Sequence, residues 1–286
     1  MRQLDPISGA AAAGRAAADA FDDANPWIER LARFGYAAKG VVYVLVGGLA
    51  ALGALRAGGR TTGARGALTT LLDEPLGSLA LWIVAVGLFG YVLWRFVQAF
   101  KDPDRHGTDL KGLGLRGFFV VNGLIYLSLA LGALALARGD GGGGGGDQYT
   151  EWTARVMSQP HGRLLVGLGG AVVVGVGLYQ FYRAYTAKFR KRLKTREMGS
   201  TEDRWATRIG RFGFAARGVT FALIGMFLIS AALHANPGEA RGLDGALRAL
   251  EEQPLGPWLL GIVAVGLVAY GVFQMVVAKY RRIGLA

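Results

Sequence analysis

The apolar residues of this chain gather into six long runs: Tyr36 to Leu55, Leu76 to Phe100, Gly117 to Ala137, Leu164 to Tyr182, Gly213 to Leu233 and Leu255 to Ala278. Each has the length of about 20 residues that a helix rising roughly 1.5 Å per residue needs to cross a hydrocarbon layer about 30 Å thick. Oil offers no partner to a bare peptide group, so such spans close their hydrogen bonds internally as helices. The pattern predicts an all-α polytopic membrane protein with six transmembrane helices. Buried helices of a soluble protein could match these lengths, but basic residues flank every run, which favours the membrane.

The chain also repeats itself, and a repeat fixes architecture more firmly than local propensity does. Arg33-Phe34-Gly35-Tyr36-Ala37-Ala38-Lys39-Gly40-Val41 recurs as Arg211-Phe212-Gly213-Phe214-Ala215-Ala216-Arg217-Gly218-Val219. A degraded copy between them keeps Arg116, Asn122, Gly123 and Tyr126 against Arg33, Lys39, Gly40 and Tyr43. The second run of each unit opens on Pro75-Leu76-Gly77, Pro160-His161-Gly162 or Pro254-Leu255-Gly256. It closes on a pair spaced four apart, on one helical face: Tyr91 and Arg95, Tyr179 and Arg183, Tyr270 and Gln274. The expected organisation is a mobile tail (1–26), then units at 27–104, 111–192 and 204–282, the middle one with a glycine-rich outer loop at 139–147. Two crossings per unit make the repeats parallel, and three parallel units suggest a pseudo-threefold axis along the membrane normal. Ala67, Leu68, Leu71 and Leu72, and again Leu243, Ala246, Leu247 and Leu250, carry the spacing of short amphipathic outer helices stopped by proline. In the middle unit the corresponding segment follows Gly141 to Gly146, read as a flexible linker.

Charge gives the orientation. Of 32 Lys and Arg residues, 24 fall in the N-terminal segment, the second and fourth connections and the C-terminal end, and eight in the other three connections. Cytoplasmic loops retain positive charge, so both termini are expected in the cytoplasm of a bacterial inner-membrane protein. The same rule accounts for the net charge of +12 and for the basic run Lys188 to Arg196, so nucleic acid is not expected as a partner. Trp27, Trp94 and Trp205 on one side, and Trp82, Trp152 and Trp258 on the other, fall where interfacial tryptophans belong. Cysteine is absent, which removes thiolate metal and redox sites. The first 26 residues, broken by Asp19, Asp22 and Asp23, lack the apolar core of a secretory signal.

Candidate chemistry is sparse. Lys39, Arg95, Arg183 and Arg217 lie at the edges of apolar runs, and Arg33 and Arg211 just outside them. Long stems there can snorkel to headgroups, which accounts for them structurally; should they act, the six are the candidate cytoplasmic-side contacts for anionic lipid or another acidic ligand. The midplanes are expected to hold no ionisable residue, which argues against a proton-driven pump. Asp73-Glu74 and Glu251-Glu252 precede the proline turns. A catalytic carboxylate pair needs two groups with divergent pKa values in one pocket; charge beside a helix start explains these more simply. Gly112-Leu113-Gly114-Leu115-Arg116-Gly117 matches the dinucleotide pattern but follows no predicted strand. His106, His161 and His234 are scattered, so neither metal nor cofactor is expected. Small residues four apart, such as Gly167, Ala171 and Gly175, or Gly47 and Ala51, let helices approach closely in lipid.

The Arg-Phe-Gly-Tyr/Phe-Ala-Ala-Lys/Arg-Gly opening, the Pro-Leu-Gly turn and the Gly-Leu-x-x-Tyr exit together resemble the bacterial membrane proteins grouped as domain-of-unknown-function family 1206. The resemblance runs from Trp27 to Tyr280, with the middle unit departing at Asn122 and at Gln159-Pro160-His161. It implies a tandem two-helix membrane repeat and supplies no catalytic residue. The expected role is a non-enzymatic scaffold or interaction protein, with the lipid bilayer and other membrane proteins as partners. The alternative is a small-molecule or ion pathway along the bundle axis.

Overall fold

The structure, a computed structural model, describes residues 6–55, 63–103, 107–140 and 147–281; side chains before Trp27 lie outside that description. The run Gly141 to Gly146, read above as a linker, is likewise outside it. The described residues form nine α-helices: α1 (Pro6–Leu55), α2 (Ala64–Leu72), α3 (Gly77–Phe100), α4 (Leu110–Arg138), α5 (Asp147–Met157), α6 (Gly162–Thr186), α7 (Ser200–Leu233), α8 (Leu243–Glu251) and α9 (Gly256–Tyr280). Six of them are long and apolar enough to cross a membrane: α1 from Glu29 onward, α3, α4 from Gly112 onward, α6, α7 and α9. The backbone of α1 runs back to Pro6, so most of the segment expected as a tail is the start of that helix.

The short helices α2 and α8 lie where the apolar spacing puts them. Each turns a fully buried pair inward, Ala67 and Leu68 or Ala246 and Leu247. After each short helix the chain reverses through Pro-x-Gly. The middle residue is left-handed in every unit, with φ of 64° at Leu76, 62° at His161 and 65° at Leu255. A Cβ on the following glycine would stand 2.2 Å from the Leu71 carbonyl oxygen at Gly77, and 1.8 Å from those of Val156 and Glu251 at Gly162 and Gly256. No other residue fits there, which is why the motif recurs.

The spanning helices pack in the order α4, α3, α1, α9, α7, α6. The second helix of each unit lies on the first helix of the next: α3 on α4, α6 on α7 and α9 on α1. That is the order in which three like units follow one another round a ring. Small residues make these contacts close. A Cβ on Gly40 would lie 2.7 Å from the Gly271 oxygen, and one on Gly170 2.8 Å from the Gly225 oxygen. Gly47 meets α9 in the same way, as its spacing suggested. Gly175, by contrast, faces open space and Gly167 only approaches Ala232, because α6 turns Gly170 and Gly177 toward α7 instead.

Within a unit, α1 packs on α3 and α7 on α9, but α4 and α6 form no such pair. The reason is bulk. Gly35 admits the Tyr91 backbone, where a Cβ would meet nitrogen at 2.3 Å, and Gly213 admits Tyr270 at 2.6 Å. A Cβ on Gly87 would lie 2.4 Å from that of Ala38, and one on Gly266 equally close to Ala216. Counted from the unit's first arginine and from its proline, the middle unit places Phe118 at the first of these positions and Val121 opposite Val172 at the second. All three are exposed.

The same count corrects the closing motif. Tyr91 and Tyr270 stand 16 residues after their prolines and Tyr179 stands 19 after Pro160. Tyr179 therefore occupies the position of Trp94 and Phe273, and Gln180 that of Arg95. Trp94 also departs from the interfacial expectation. It is 2% exposed and donates to the Tyr36 hydroxyl at 3.1 Å, while the other five tryptophans are exposed.

Candidate functional site: a cluster of cations and tyrosines

Lys39 lies ten residues into the span that begins at Glu29, roughly 15 Å along the helix. It does not snorkel. It is 2% exposed, its Nζ donates to the Tyr91 hydroxyl at 2.8 Å, and it sits over the rings of Tyr91, Tyr126 and Tyr270 at 4.6, 4.7 and 5.8 Å. Those rings belong to α3, α4 and α9, so one side chain from α1 touches three neighbours. Arg217, its counterpart on α7, is also buried. Its Nη1 donates to the Tyr270 hydroxyl at 2.6 Å, and its guanidinium lies over Tyr270, Phe221 and Tyr43 at 4.4, 4.9 and 5.3 Å. Its Nε is buried without a hydrogen-bond partner.

Arg95 donates through Nε to the Tyr91 hydroxyl at 2.8 Å and through Nη1 to Gln98 Oε1 at 2.8 Å. Tyr91 in turn donates to Asn122 Oδ1 at 3.2 Å, which uses its single proton. Arg183 covers the face of Phe214 at 4.1 Å. Arg95 and Arg183 are half-buried. Edge-to-face contacts between Tyr91 and Tyr126 at 4.7 Å and between Tyr43 and Tyr270 at 4.8 Å knit the rings together.

Lys39 is within electrostatic reach of Arg217, Arg95 and Arg183. Among the described residues no carboxylate pairs with any of the four. A buried cation is costly in a membrane. Ring faces offset part of that, each about 2 kcal/mol when desolvated, but they carry no net charge to balance the repulsion. The expectation that Lys39 and Arg217 snorkel to the headgroups is corrected accordingly. It counted Lys39 and Arg217 by distance from a helix end, whereas a ring of six helices leaves an interior into which they turn.

Sequence comparison places this architecture. The family described as Domain of Unknown Function (DUF1206) matches at residues 34–102, 118–187 and 212–281, three tandem copies that coincide with the three units. The chain belongs to this family. The uncharacterized protein YxxB of Bacillus subtilis (strain 168) is 39% identical over 260 residues, covering 91% of this chain and 94% of that one. No solved structure matches.

The other sequence-picked residues of this DUF1206 chain do different things. Arg33 donates to the carbonyls of Ala278 and Lys279 at 2.7 and 2.5 Å, and Arg211 to those of Ala184 and Tyr185 at 2.8 and 2.9 Å. Both satisfy the open carbonyls at the end of the neighbouring unit's second helix. Arg116, passed over as a candidate although it aligned with Arg33, does the same for Ala99 and Phe100 at 2.6 and 3.3 Å. Asp73, Glu74 and Glu252 are exposed and Glu251 is half-buried, none with a partner among the described residues. Helices α2 and α8 meet only at their starts, where a Cβ on Gly63 would lie 3.4 Å from Asp244 N, and the four carboxylates stand at the far ends of these helices with no contact between them among the described residues.

Ser230, His234 and Glu239 do meet, unforeseen from sequence. His234 Nδ1 lies 2.9 Å from Glu239 Oε2 and 3.3 Å from Ser230 Oγ. Serine and carboxylate share one ring nitrogen, whereas a proton relay needs them on opposite nitrogens. The bonds from His234 and Ser230 hold the Glu239 carboxyl below the usual range. The Gly112 to Gly117 pattern lies inside α4, with no strand before it among the described residues.

Proposed function

We propose that this protein is a non-catalytic binding protein of the bacterial inner membrane, with its termini in the cytoplasm, that holds an anionic group among Lys39, Arg95, Arg183 and Arg217. One observation carries the reading. Among the described residues, cations from α1, α3, α6 and α7 converge without a carboxylate partner, and one buried Nε among them has no hydrogen-bond partner. A bundle serving only as a scaffold gains nothing from such repulsion, since Leu or Met would fill the same space without it. Close-packed rings around Lys39 support a binding site over a continuously open channel.

Inorganic phosphate is the first probe. In neutral detergent it should raise the unfolding temperature of the wild type relative to chloride at equal ionic strength. Saturation 100-fold above Kd corresponds to about 2.7 kcal/mol. Lys39→Gln and Arg217→Gln should each remove that response; equal responses in wild type and variants would refute the site. Orientation has its own test, because the chain has no cysteine. In intact cells an impermeant maleimide should label Thr69→Cys and spare Thr201→Cys.

A further inference from the structure

We infer that the opening between α4 and α6 is a lateral doorway, and that the anionic group arrives through it as the headgroup of a membrane lipid whose chains lie in the opening. The inference rests on the site proposed above. Each flank of the opening carries part of the cluster. On α4, Tyr126 lies under Lys39 and Asn122 accepts from Tyr91; on α6 stands Arg183.

The opening is a feature of one unit only. Trp94 and Phe273 are each 2% exposed against their own unit's first helix, whereas Tyr179, at the same position, is 55% exposed. Its only ring neighbour among the described residues is Tyr182 on its own helix.

The vertical order of groups matches a lipid. Arg183 is three residues from the end of α6 at Thr186, roughly 5 Å, and Lys188 just beyond it donates to the Tyr182 hydroxyl and covers its ring at 4.7 Å. Deeper in the membrane α6 presents exposed Leu178, Val172 and Leu168. Positive charge at headgroup depth above an apolar strip suits a phosphate carrying acyl chains.

The doorway is testable with a fluorophore. Bimane is attached at Tyr179→Cys, or at Ile262→Cys on exposed α9 as control, in phosphatidylcholine nanodiscs. A small fraction of nitroxide-chain phosphatidylglycerol or nitroxide-chain phosphatidylcholine is added. Quenching at position 179 should favour the anionic lipid by about fivefold, the enrichment one basic side chain at headgroup depth provides, and should show no preference at 262. Arg183→Gln, or Lys188→Gln if the first does not fold, should erase the preference. Equal quenching by both lipids at 179 would overturn the doorway, as would shielding of 179 from both lipids by a second copy of the chain. Phosphate stabilisation that survives such a result leaves the anion site standing and removes only its lipid identity.

Discussion

The first and third units keep their two spanning helices together, and the middle unit does not. All three share the Pro-x-Gly reversal, the arginine bound to a neighbouring helix end, and close packing onto the next unit. What differs is bulk at three positions. Gly35 with Ala38 and Gly87, and Gly213 with Ala216 and Gly266, become Phe118 with Val121 and Val172. In lipid, where no hydrophobic force drives helices together, backbone approach through small residues supplies much of the association energy. Losing it at one seam leaves α4 and α6 unpaired, while the five other seams pack. A repeat protein can thus place an opening in a chosen unit without altering the shared frame.

The largest effect should come from importing the middle unit's bulk into a closed seam. Gly213→Phe places a ring where the Tyr270 backbone now lies, and backbone cannot swing aside as a side chain can. The loss should reach about 3 kcal/mol, the upper range for overpacking, seen as a fall in unfolding temperature in detergent. Phe118→Leu, at the matching exposed position, should change little. The reverse graft comes next. Phe118→Gly with Val121→Ala and Val172→Gly should draw α6 onto α4 and shield bimane at Tyr179→Cys from nitroxide lipid. Replacing Phe and Val by two glycines costs about 1 kcal/mol of helix propensity, so shielding rather than stability is the informative readout.

Much of this frame was legible in the sequence. Six apolar runs, a nine-residue repeat and the proline turns carry their own physical reasons, and α2 and α8 lie on the residues whose spacing announced them. Two readings failed for physical causes. Lys39 and Arg217 were judged by distance to a helix end, but direction decides burial, and direction depends on which neighbours flank a helix. The middle unit's Tyr179 and Arg183 match the other units by a spacing of four that recurs every turn, whereas the count from Pro160 puts them three residues out of register. Phe118 was visible all along beside Gly35 and Gly213. Its consequence required knowing that those glycines face their own unit's second helix.

Smaller effects test what the units share. Arg33→Gln, Arg116→Gln and Arg211→Gln each remove hydrogen bonds to a helix end, in partly exposed positions, and should lower stability by about 1 kcal/mol apiece. Comparable losses in all three would show that the arginine contact is indifferent to the seam. A markedly larger loss for Arg116→Gln would mean that α4, lacking α6, depends more heavily on α3.

The smallest effect should be the most uniform. Leu76, His161 and Leu255 hold left-handed backbone, which costs a residue with a Cβ roughly 1 kcal/mol. Replacing each with glycine removes that strain but adds freedom to the unfolded chain, which offsets part of the gain. Leu76→Gly, His161→Gly and Leu255→Gly should therefore each raise stability by a few tenths of a kcal/mol, up to about 1, measured in one detergent. The turn is built only from the unit's short helix and the start of its second span, so its strain is blind to whether the seam beside it is open. A gain confined to the first and third units would show instead that the middle turn is already relaxed by the parting of α4 and α6.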